Sequence, residues 1–257
     1  MSQIKWNYLI LSYLALFCLG LIDNTRGAFY PEFLRQMDFS ASEGSRLFSV
    51  VALSGFIMNF TTRYWLPHVG IVKAILASLF FMFLGTIMVS LMPFFMEFKH
   101  SMLIISGLCL GLGIGGSTIS MNLLVTKAAP PRLMSRAFSG LHSTYGVSSL
   151  IAPLLFNFLF VLLGKWNLAY LCLSFFPLVI FSFYLLKNLQ KGDDVIVFFQ
   201  GVRHNYKVSD SKIVGATDVS YIVNSQNQAS ETLILQTCWP PGTTWQRLLI
   251  FAKPNSS

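Results

Sequence analysis

Six apolar windows, each about as long as a membrane-crossing helix, follow one another along the first 186 residues. They cover residues 5–34, 46–66, 71–94, 101–126, 137–163 and 167–186. A helix needs about 20 predominantly apolar residues to cross the hydrocarbon core of a bilayer. The pattern therefore predicts an α-helical membrane protein with six transmembrane helices. The link between the last two windows is very short, so we expect those two helices to be antiparallel neighbours.

The pattern changes after Leu186 to short alternating segments with turn residues between them, which is typical of β-strands. The predicted strands are Asp194–Gln200, Tyr206–Val208, Val219–Val223, Thr232–Gln236 and Arg247–Ala252. Turns are expected at Gly192-Asp193 and at Pro240-Pro241-Gly242. We accordingly predict two domains, a six-helix membrane domain over 1–186 and a soluble β-rich tail over 187–257. About 70 residues make a marginal core on their own, so the tail is expected to be a partial β-barrel.

Glycines recur at helical spacing in the fourth window, at Gly107, Gly111, Gly115 and Gly116. A helix face without side chains lets a neighbouring helix approach closely, and such faces are common in membrane bundles. We expect the fourth helix to be a tightly packed element of the bundle.

Composition supports a membrane protein, since 54% of the residues are hydrophobic and only 11% are charged. The net charge of +8 is scattered among the apolar windows and forms no basic stripe, which argues against a nucleic-acid partner. The connector after the fourth window carries Lys127, Arg132 and Arg136 without an acidic residue. The positive-inside rule therefore predicts that this connector, the N-terminus and the tail lie in the cytoplasm. We expect the protein to be in the plasma membrane, the inner membrane of the cell.

Polar side chains inside membrane helices need a partner or a water-filled cavity. Asp23 and Arg26, spaced i, i+3 in the first helix, either pair with each other or contact a substrate. Thr118 and Asn122 in the fourth helix either bond neighbouring helices or bind a solute. His142 in the fifth helix is either a packing residue or a proton relay.

Aromatic side chains near the helix ends are expected to face lipid or the membrane interface. This expectation covers Phe56, Phe60, Trp65 and Trp166. The four cysteines lie far apart and show no metal-ligand spacing, so neither a metal nor a cofactor is predicted.

Three groups of motifs in residues 5–186 resemble the N-terminal six-helix half of a major facilitator superfamily transporter, in the manner of fucose-permease-like sugar porters. The motifs are Gly20-Leu21-Ile22-Asp23-Asn24 with Tyr30-Pro31-Glu32-Phe33-Leu34, Gly111-Leu112-Gly113-Ile114-Gly115-Gly116 with Met121-Asn122, and Leu141-His142-Ser143-Thr144-Tyr145-Gly146 with Ala152-Pro153.

The resemblance implies transmembrane transport of a small polar solute such as a sugar, bound between two halves near the bilayer midplane. It makes Asp23, Arg26, Thr118, Asn122 and His142 the predicted substrate-binding residues. One half offers one wall only, so a second half-transporter or a homodimer is implied as partner. Thr118 occupies the place where proton-coupled relatives carry an acidic residue, which leaves proton coupling open. The basic signature between the second and third helices is reduced to Arg63, Gly70 and Lys73.

The tail resembles the C-terminal half of a sortase, a cysteine transpeptidase. The resemblance rests on Leu189–Val197, on Leu233-Ile234-Leu235-Gln236-Thr237-Cys238 and on Arg247–Lys253. It implies that Cys238 is the thiolate nucleophile and that Arg247 stabilises the oxyanion or orients the substrate. A sortase also needs an upstream histidine, but the sixth helix occupies that place, and His204 lies between predicted strands. We therefore expect the tail to be catalytically inactive.

Three interpretations stay open at this level. The chain is a transporter half that requires a second half, or a membrane-anchored sortase-like transpeptidase that lacks its histidine, or a chimera of two genes joined near residues 183–190. The third interpretation accounts for both partial domains at once.

Overall fold

A computed structural model describes residues 4–187, 192–221, 231–239 and 245–254. The chain divides into two compact units, Met1–Phe181 and Ser182–Ser257, and the division falls inside the last helix. The boundary expected between residues 186 and 187 stays a prediction.

The first unit is built from six long helices, as the apolar windows predict. They are α1 Trp6–Met37, α2 Ala41–Val69, α3 Ile71–Leu91, α4 Lys99–Ala128, α5 Met134–Leu163 and α6 Trp166–Lys187. In the described part of the chain, five of them are long and apolar enough to cross a membrane. The exception is α2, whose 29 residues include the charged side chains of Glu43, Arg46 and Arg63.

Specific polar contacts define the junction between α1 and α2. Asp38 ends α1 in the left-handed conformation, with φ of 49°. The Lys99 ammonium donates to the carbonyls of Met37 (2.8 Å) and Asp38 (3.0 Å), which have no partner within the helix. Ser40 then begins α2 with a capping box, in which its hydroxyl accepts from the Glu43 amide at 3.2 Å.

Glycines make α4 the most closely packed helix of the bundle, as the sequence predicts. A Cβ at Gly111 would lie 1.8 Å from the Ser54 hydroxyl oxygen, and one at Gly115 would lie 2.5 Å from the Gly55 carbonyl oxygen, both on α2. On another face, a Cβ at Gly113 would lie 2.7 Å from the Ser78 carbonyl oxygen on α3. The backbone of α4 therefore touches α2 and α3 at distances that no other residue type permits.

An aromatic cluster joins α1, α5 and α6. Phe29 stacks on Trp166 with ring centroids 5.4 Å apart, and it also contacts Tyr170 and Phe156. The expectation that Trp166 lies at the lipid interface is wrong, because the side chain is fully buried and donates from Nε1 to Gln36 Oε1 at 2.9 Å. An indole whose N–H has an internal partner can be buried without a desolvation penalty for that donor.

The second unit is a four-stranded antiparallel sheet that curls into a half-barrel. Its strands are β1 Asp194–Phe199, β2 Val202–Gly215, β3 Leu233–Trp239 and β4 Gln246–Pro254, in the order β1-β2-β4-β3. Gln200 and Gly201, with φ of 50° and 79°, form the tight turn between β1 and β2. Val208, Leu248 and Ile250 form the buried core on one face.

Four of the five predicted strands are present, although β2 extends well beyond the expected Tyr206–Val208. The strand predicted over Val219–Val223 is wrong in its described part. Val219 has no regular structure, and the next two residues are helical. The Asp218 carboxylate accepts from the Ser220 amide (3.0 Å) and hydroxyl (2.6 Å), a local cap that favours a helical turn over a strand. Residues 222–223 and the predicted turn at 240–242 lie outside the described residues.

The contact between α2 and α4 predicts a large difference between two glycine-to-alanine variants. In Gly115→Ala the new methyl group meets the α2 backbone, which cannot rotate away, and we expect a loss of about 1–3 kcal/mol of stability. Gly27→Ala in α1 is the matched control, because a Cβ there meets nothing within 4 Å. Thermal unfolding of both variants in detergent measures the difference; equal melting temperatures would contradict the close packing.

Candidate functional site

A charged pair on α1 lies in the wall of the helical unit. Arg26 donates from Nη2 to Asp23 Oδ1, and its Nε donates to the Asp23 carbonyl at 3.3 Å. Tyr145 on α5 donates its hydroxyl to Asp23 Oδ2 at 3.3 Å. Both carboxylate oxygens of Asp23 therefore have donors, one from its own helix and one from α5. The sequence-based alternative in which Asp23 and Arg26 pair with each other is confirmed.

Asn24 extends this network between α1 and α5. Its Nδ2 donates to the Gly20 carbonyl and to the Ser149 hydroxyl, both at 2.8 Å, and lies 3.5 Å from the Tyr145 hydroxyl. Gly20 faces Ser148 on α5 with no room for a Cβ. The absence of a side chain at Gly20 brings the two helices close enough for these hydrogen bonds to form.

The pair is only partly screened from its surroundings. The Arg26 side chain is 10% exposed and the Asp23 side chain 29% exposed. The Arg26 guanidinium lies 5.5 Å from the centroid of the Phe48 ring on α2, a cation–π contact. Burying two charges is expensive, and it is tolerated here because the ions are paired with each other and bonded to neighbouring groups.

A cavity of about 530 Å³ adjoins the charged pair. It is walled by α1, α2 and α4, and the crossing of α2 and α4 at Gly55 and Gly115 forms part of the wall. Its lining residues are Asp23, Arg26, Phe48, Val51, Ala52, Gly55, Phe56, Asn59, Ile114 and Gly115. Arg26 supplies donors, Asp23 supplies acceptors, and the two phenylalanines supply ring faces, which is the usual composition of a site for a small polar ligand.

Thr118 and Asn122 lie on α4 and are not among the residues lining this cavity. Thr118 donates to the Ile114 carbonyl and Asn122 donates to the Thr118 carbonyl, each at 2.7 Å, so both bonds stay within the helix. Because Ile114 lines the cavity, the i, i+4 spacing places Thr118 and Asn122 further along the same helix face. Their role in binding a solute stays a prediction.

His142 is exposed on α5, three residues before Tyr145, and also does not line the cavity. Its role stays a prediction as well. Tyr145, Asn24, Ser149 and Asn59 were not predicted as site residues. The amide oxygen of Asn59 is buried and has no hydrogen-bond partner in the described part of the chain, and Asn59 lines the cavity directly. The sequence feature that could have indicated these four residues is a polar side chain within an otherwise apolar helix.

The second unit carries the predicted cysteine and arginine as a cross-strand pair. Cys238 on β3 is directly opposite Arg247 on β4, and the Arg247 Nη1 lies 3.7 Å from the Cys238 sulfur. The side chain of Cys238 is exposed. A guanidinium next to an exposed thiol can stabilise negative charge that develops there during a reaction. The structure therefore brings these two predicted site residues together.

The only histidine in residues 187–257 is His204, and it is far from this pair. Val214 on β2 is opposite Arg247, whereas His204 lies ten residues earlier on the same strand and is opposite Val197 on β1. At about 3.3 Å per strand residue, ten residues separate the two positions by roughly 33 Å. His204 therefore cannot act as the acid or base for Cys238.

Two protein-family models match parts of the chain. A family model described as Major Facilitator Superfamily matches residues 11–217, well over half of the chain. The chain belongs to the major facilitator superfamily. A second model, described as Sortase domain, matches residues 181–255. No curated protein matches the chain significantly.

Residues 181–217 fall within both matches, and this overlap contains β1 and β2. Since β2 pairs with β4 along most of its length, the sheet groups these residues with the sortase-like part. The transporter-like architecture of this major facilitator member is thus carried by α1–α6.

The charged pair predicts strong coupling between two substitutions. Asp23→Asn leaves the nearly buried Arg26 without a counter-ion, and we expect it to lower stability by roughly 1–3 kcal/mol, since Asp23 itself is partly exposed. Arg26→Gln should have an effect of similar size, and the double variant should lose clearly less than the sum of the two. Unfolding of the four proteins in detergent measures the coupling. Strictly additive losses would show that the ion pair contributes nothing.

Proposed function

We propose that the helical unit transports a small polar solute, such as a sugar, and that the solute binds in the cavity beside Asp23 and Arg26. The observation that carries this proposal is a partly buried ion pair adjoining a cavity in a membrane protein of the major facilitator superfamily. Ionisable groups inside a membrane bundle are expensive to keep and are characteristic of substrate and ion pathways.

The chemistry of the cavity supports a solute rich in hydroxyl groups. Arg26 offers donors, while Asp23 and the unpartnered Asn59 amide oxygen offer acceptors. Phe48 and Phe56 line the same space with ring faces, on which the apolar face of a sugar ring can pack. The family alone does not specify a substrate, so the sugar assignment rests on these side chains.

The proposal includes a second bundle that completes the pathway. The cavity is walled by three helices of this unit, and in transporters of this architecture the substrate lies between two halves. Leu150, Leu154, Phe158 and Val161 form an exposed apolar stripe on α5 at helical spacing. Such a stripe is available to lipid or to the second bundle, which is either another half-transporter or a second copy of this chain.

Uptake by cells or proteoliposomes that contain the protein tests the transport proposal with a panel of radiolabelled sugars. We expect Asp23→Asn to lower uptake of the accepted solute roughly tenfold, because about 1.4 kcal/mol of hydrogen bonding to a charged group is lost. Asp38→Asn, at the end of α1 and outside the cavity, is the matched control. Unchanged uptake and unchanged pH dependence in Asp23→Asn, at equal amounts of folded protein, would remove Asp23 from the site.

The contact between Cys238 and Arg247 favours a second candidate function, that of a sortase-like cysteine transpeptidase. The nucleophile and the positive charge are in place, but the described residues of the tail provide no histidine near them. General acid–base assistance is worth about 10²–10⁴-fold. We therefore propose that the tail by itself is inactive as a transpeptidase. This holds whether the tail is a genuine domain of this protein or results from the joining of two genes.

Labelling of Cys238 tests this part of the proposal. We expect a small maleimide to label the exposed thiol of the purified protein, whereas a thiol-reactive sorting-peptide probe does not. Cys238→Ser is the control for labelling of the other cysteines. Labelling by the peptide probe that is lost in Arg247→Gln would show instead that the tail is a working transpeptidase.

The same thiol reports on orientation, since we place the N-terminus and the tail in the cytoplasm of a plasma-membrane protein. A membrane-permeant maleimide should label Cys238 in intact cells, and a membrane-impermeant one should not. Labelling by the impermeant reagent would place the tail outside and reverse the proposed orientation.

A further inference from the structure

A second cavity lies at the end of the helical unit where α2 ends, α3 begins and α4 approaches its C-terminus. Its volume is about 550 Å³. Its lining includes Phe60, Arg63, Leu66, Ile119, Leu123 and Lys127. A smaller cavity of about 280 Å³ shares Gly70, Ile71 and Lys127 with it and adds Lys73. We call the two together the basic groove.

Three cations surround the basic groove and no carboxylate lines it. Arg63, Lys73 and Lys127 are all exposed, and none of them forms a salt bridge within the described part of the chain. The Arg63 guanidinium rests over the Tyr64 ring, 4.5 Å from its centroid, which holds the side chain at the surface of α2. Like charges gathered at one place repel each other, and an anion bound between them removes that repulsion.

The rest of the groove is apolar. Phe60 is 68% exposed and Leu123 is 39% exposed, and Leu66, Pro67 and Ile119 complete the wall. Phe60 and Leu123 each lie about one helical turn before the nearest lining cation, Arg63 and Lys127 respectively, and thus deeper along α2 and α4. The groove therefore combines a cationic mouth at the helix ends with an apolar wall that runs along membrane helices.

We propose that the basic groove binds an anionic phospholipid. Its phosphate contacts Arg63 and Lys127, with Lys73 at the rim, and an acyl chain lies along Phe60, Ile119 and Leu123. Arginine suits a phosphate because its planar guanidinium donates two parallel hydrogen bonds. Basic pockets between membrane helices at the cytoplasmic side are suited to anionic lipid headgroups, and the proposed orientation puts this end of the bundle there.

A lipid, and not a soluble phosphate compound, fits the apolar part of the groove. A free anion would use only the mouth and would leave the wall formed by Phe60 and Leu123 without a partner. A neutral lipid would use only the wall and would leave three cations uncompensated. An amphiphile with a negative headgroup satisfies both parts at once, and its binding ties together the end of α2, the start of α3 and the end of α4.

Thermal unfolding and native mass spectrometry of the purified full chain in detergent test the proposal with phosphatidylglycerol as the probe. We expect phosphatidylglycerol to raise the melting temperature and to remain bound in the mass spectrum. The variant Arg63→Gln/Lys127→Gln should weaken binding at least tenfold. The matched control is Arg132→Gln/Arg136→Gln, which removes the same charge from the connector beyond α4 and from the first turn of α5 and touches neither cavity.

Each further arm of the experiment has a decisive outcome. If the control variant binds phosphatidylglycerol as weakly as Arg63→Gln/Lys127→Gln does, the lipid is attracted only by the overall positive charge, and the proposed site is wrong. Equal stabilisation by inorganic phosphate would make it an anion site without a lipid. Equal stabilisation by phosphatidylcholine, whose phosphate is offset by a quaternary ammonium, would show that a net negative charge is not required and would overturn the assignment to an anionic lipid. If the double glutamine variant does not fold, Lys127→Gln is compared with Lys127→Arg, which retains the charge and should retain binding.

Discussion

The glycines of α4 are the constraint on which the rest of the helical unit depends. Helices in a bilayer gain little from the hydrophobic effect on meeting each other, so close van der Waals packing has to hold them together. Gly111 and Gly115 admit the backbone of α2, while Gly113 admits that of α3. This contact fixes where α2 runs, and with it the position of Phe48 over Arg26 and of Asn59 in the wall of the cavity. A larger residue in α4 would displace the opposite wall of the candidate site.

The charged pair is tolerated within this packing because its hydrogen bonds are distributed over two helices. Asp23 receives donors from Arg26 on its own helix and from Tyr145 on α5, and Asn24 adds a bond to Ser149. A pair satisfied in this way holds α1 and α5 in one register, yet the Asp23 carboxylate stays partly exposed toward the cavity. The network therefore both stabilises the wall and leaves a charged group at the cavity, where the proposed solute would meet it.

Local patterns were sufficient for much of this architecture. The six helices follow from the apolar windows, the packed face of α4 from its glycine spacing, and the Asp23–Arg26 pair from i, i+3 geometry. Contacts between helices were not predictable in the same way, because the pairing of Asn24 with Ser149 depends on how α1 and α5 dock. The prediction that Trp166 lies at the lipid interface was wrong for a related reason, since its internal acceptor, Gln36, lies 130 residues away in the sequence. In the sheet, the predicted length of β2 was too short because a bulge between Val208 and Asp210 interrupts the alternation of apolar and polar residues along the strand.

Under the proposed functions, each of the two units contributes one part of a site. The helical unit offers a wall with a charged pair, and a translocation pathway needs a facing surface before a solute can be enclosed. The sheet offers a thiol and a guanidinium 3.7 Å apart, and transfer of an acyl group needs a proton donor for the leaving group as well. The register of the sheet shows why the nearest histidine in the tail cannot supply it, since His204 and Cys238 lie near opposite ends of the sheet. Transport is the better supported function because the transport proposal asks only for a second bundle of helices, whereas the transpeptidase would need a catalytic group placed within hydrogen-bonding distance of one sulfur atom.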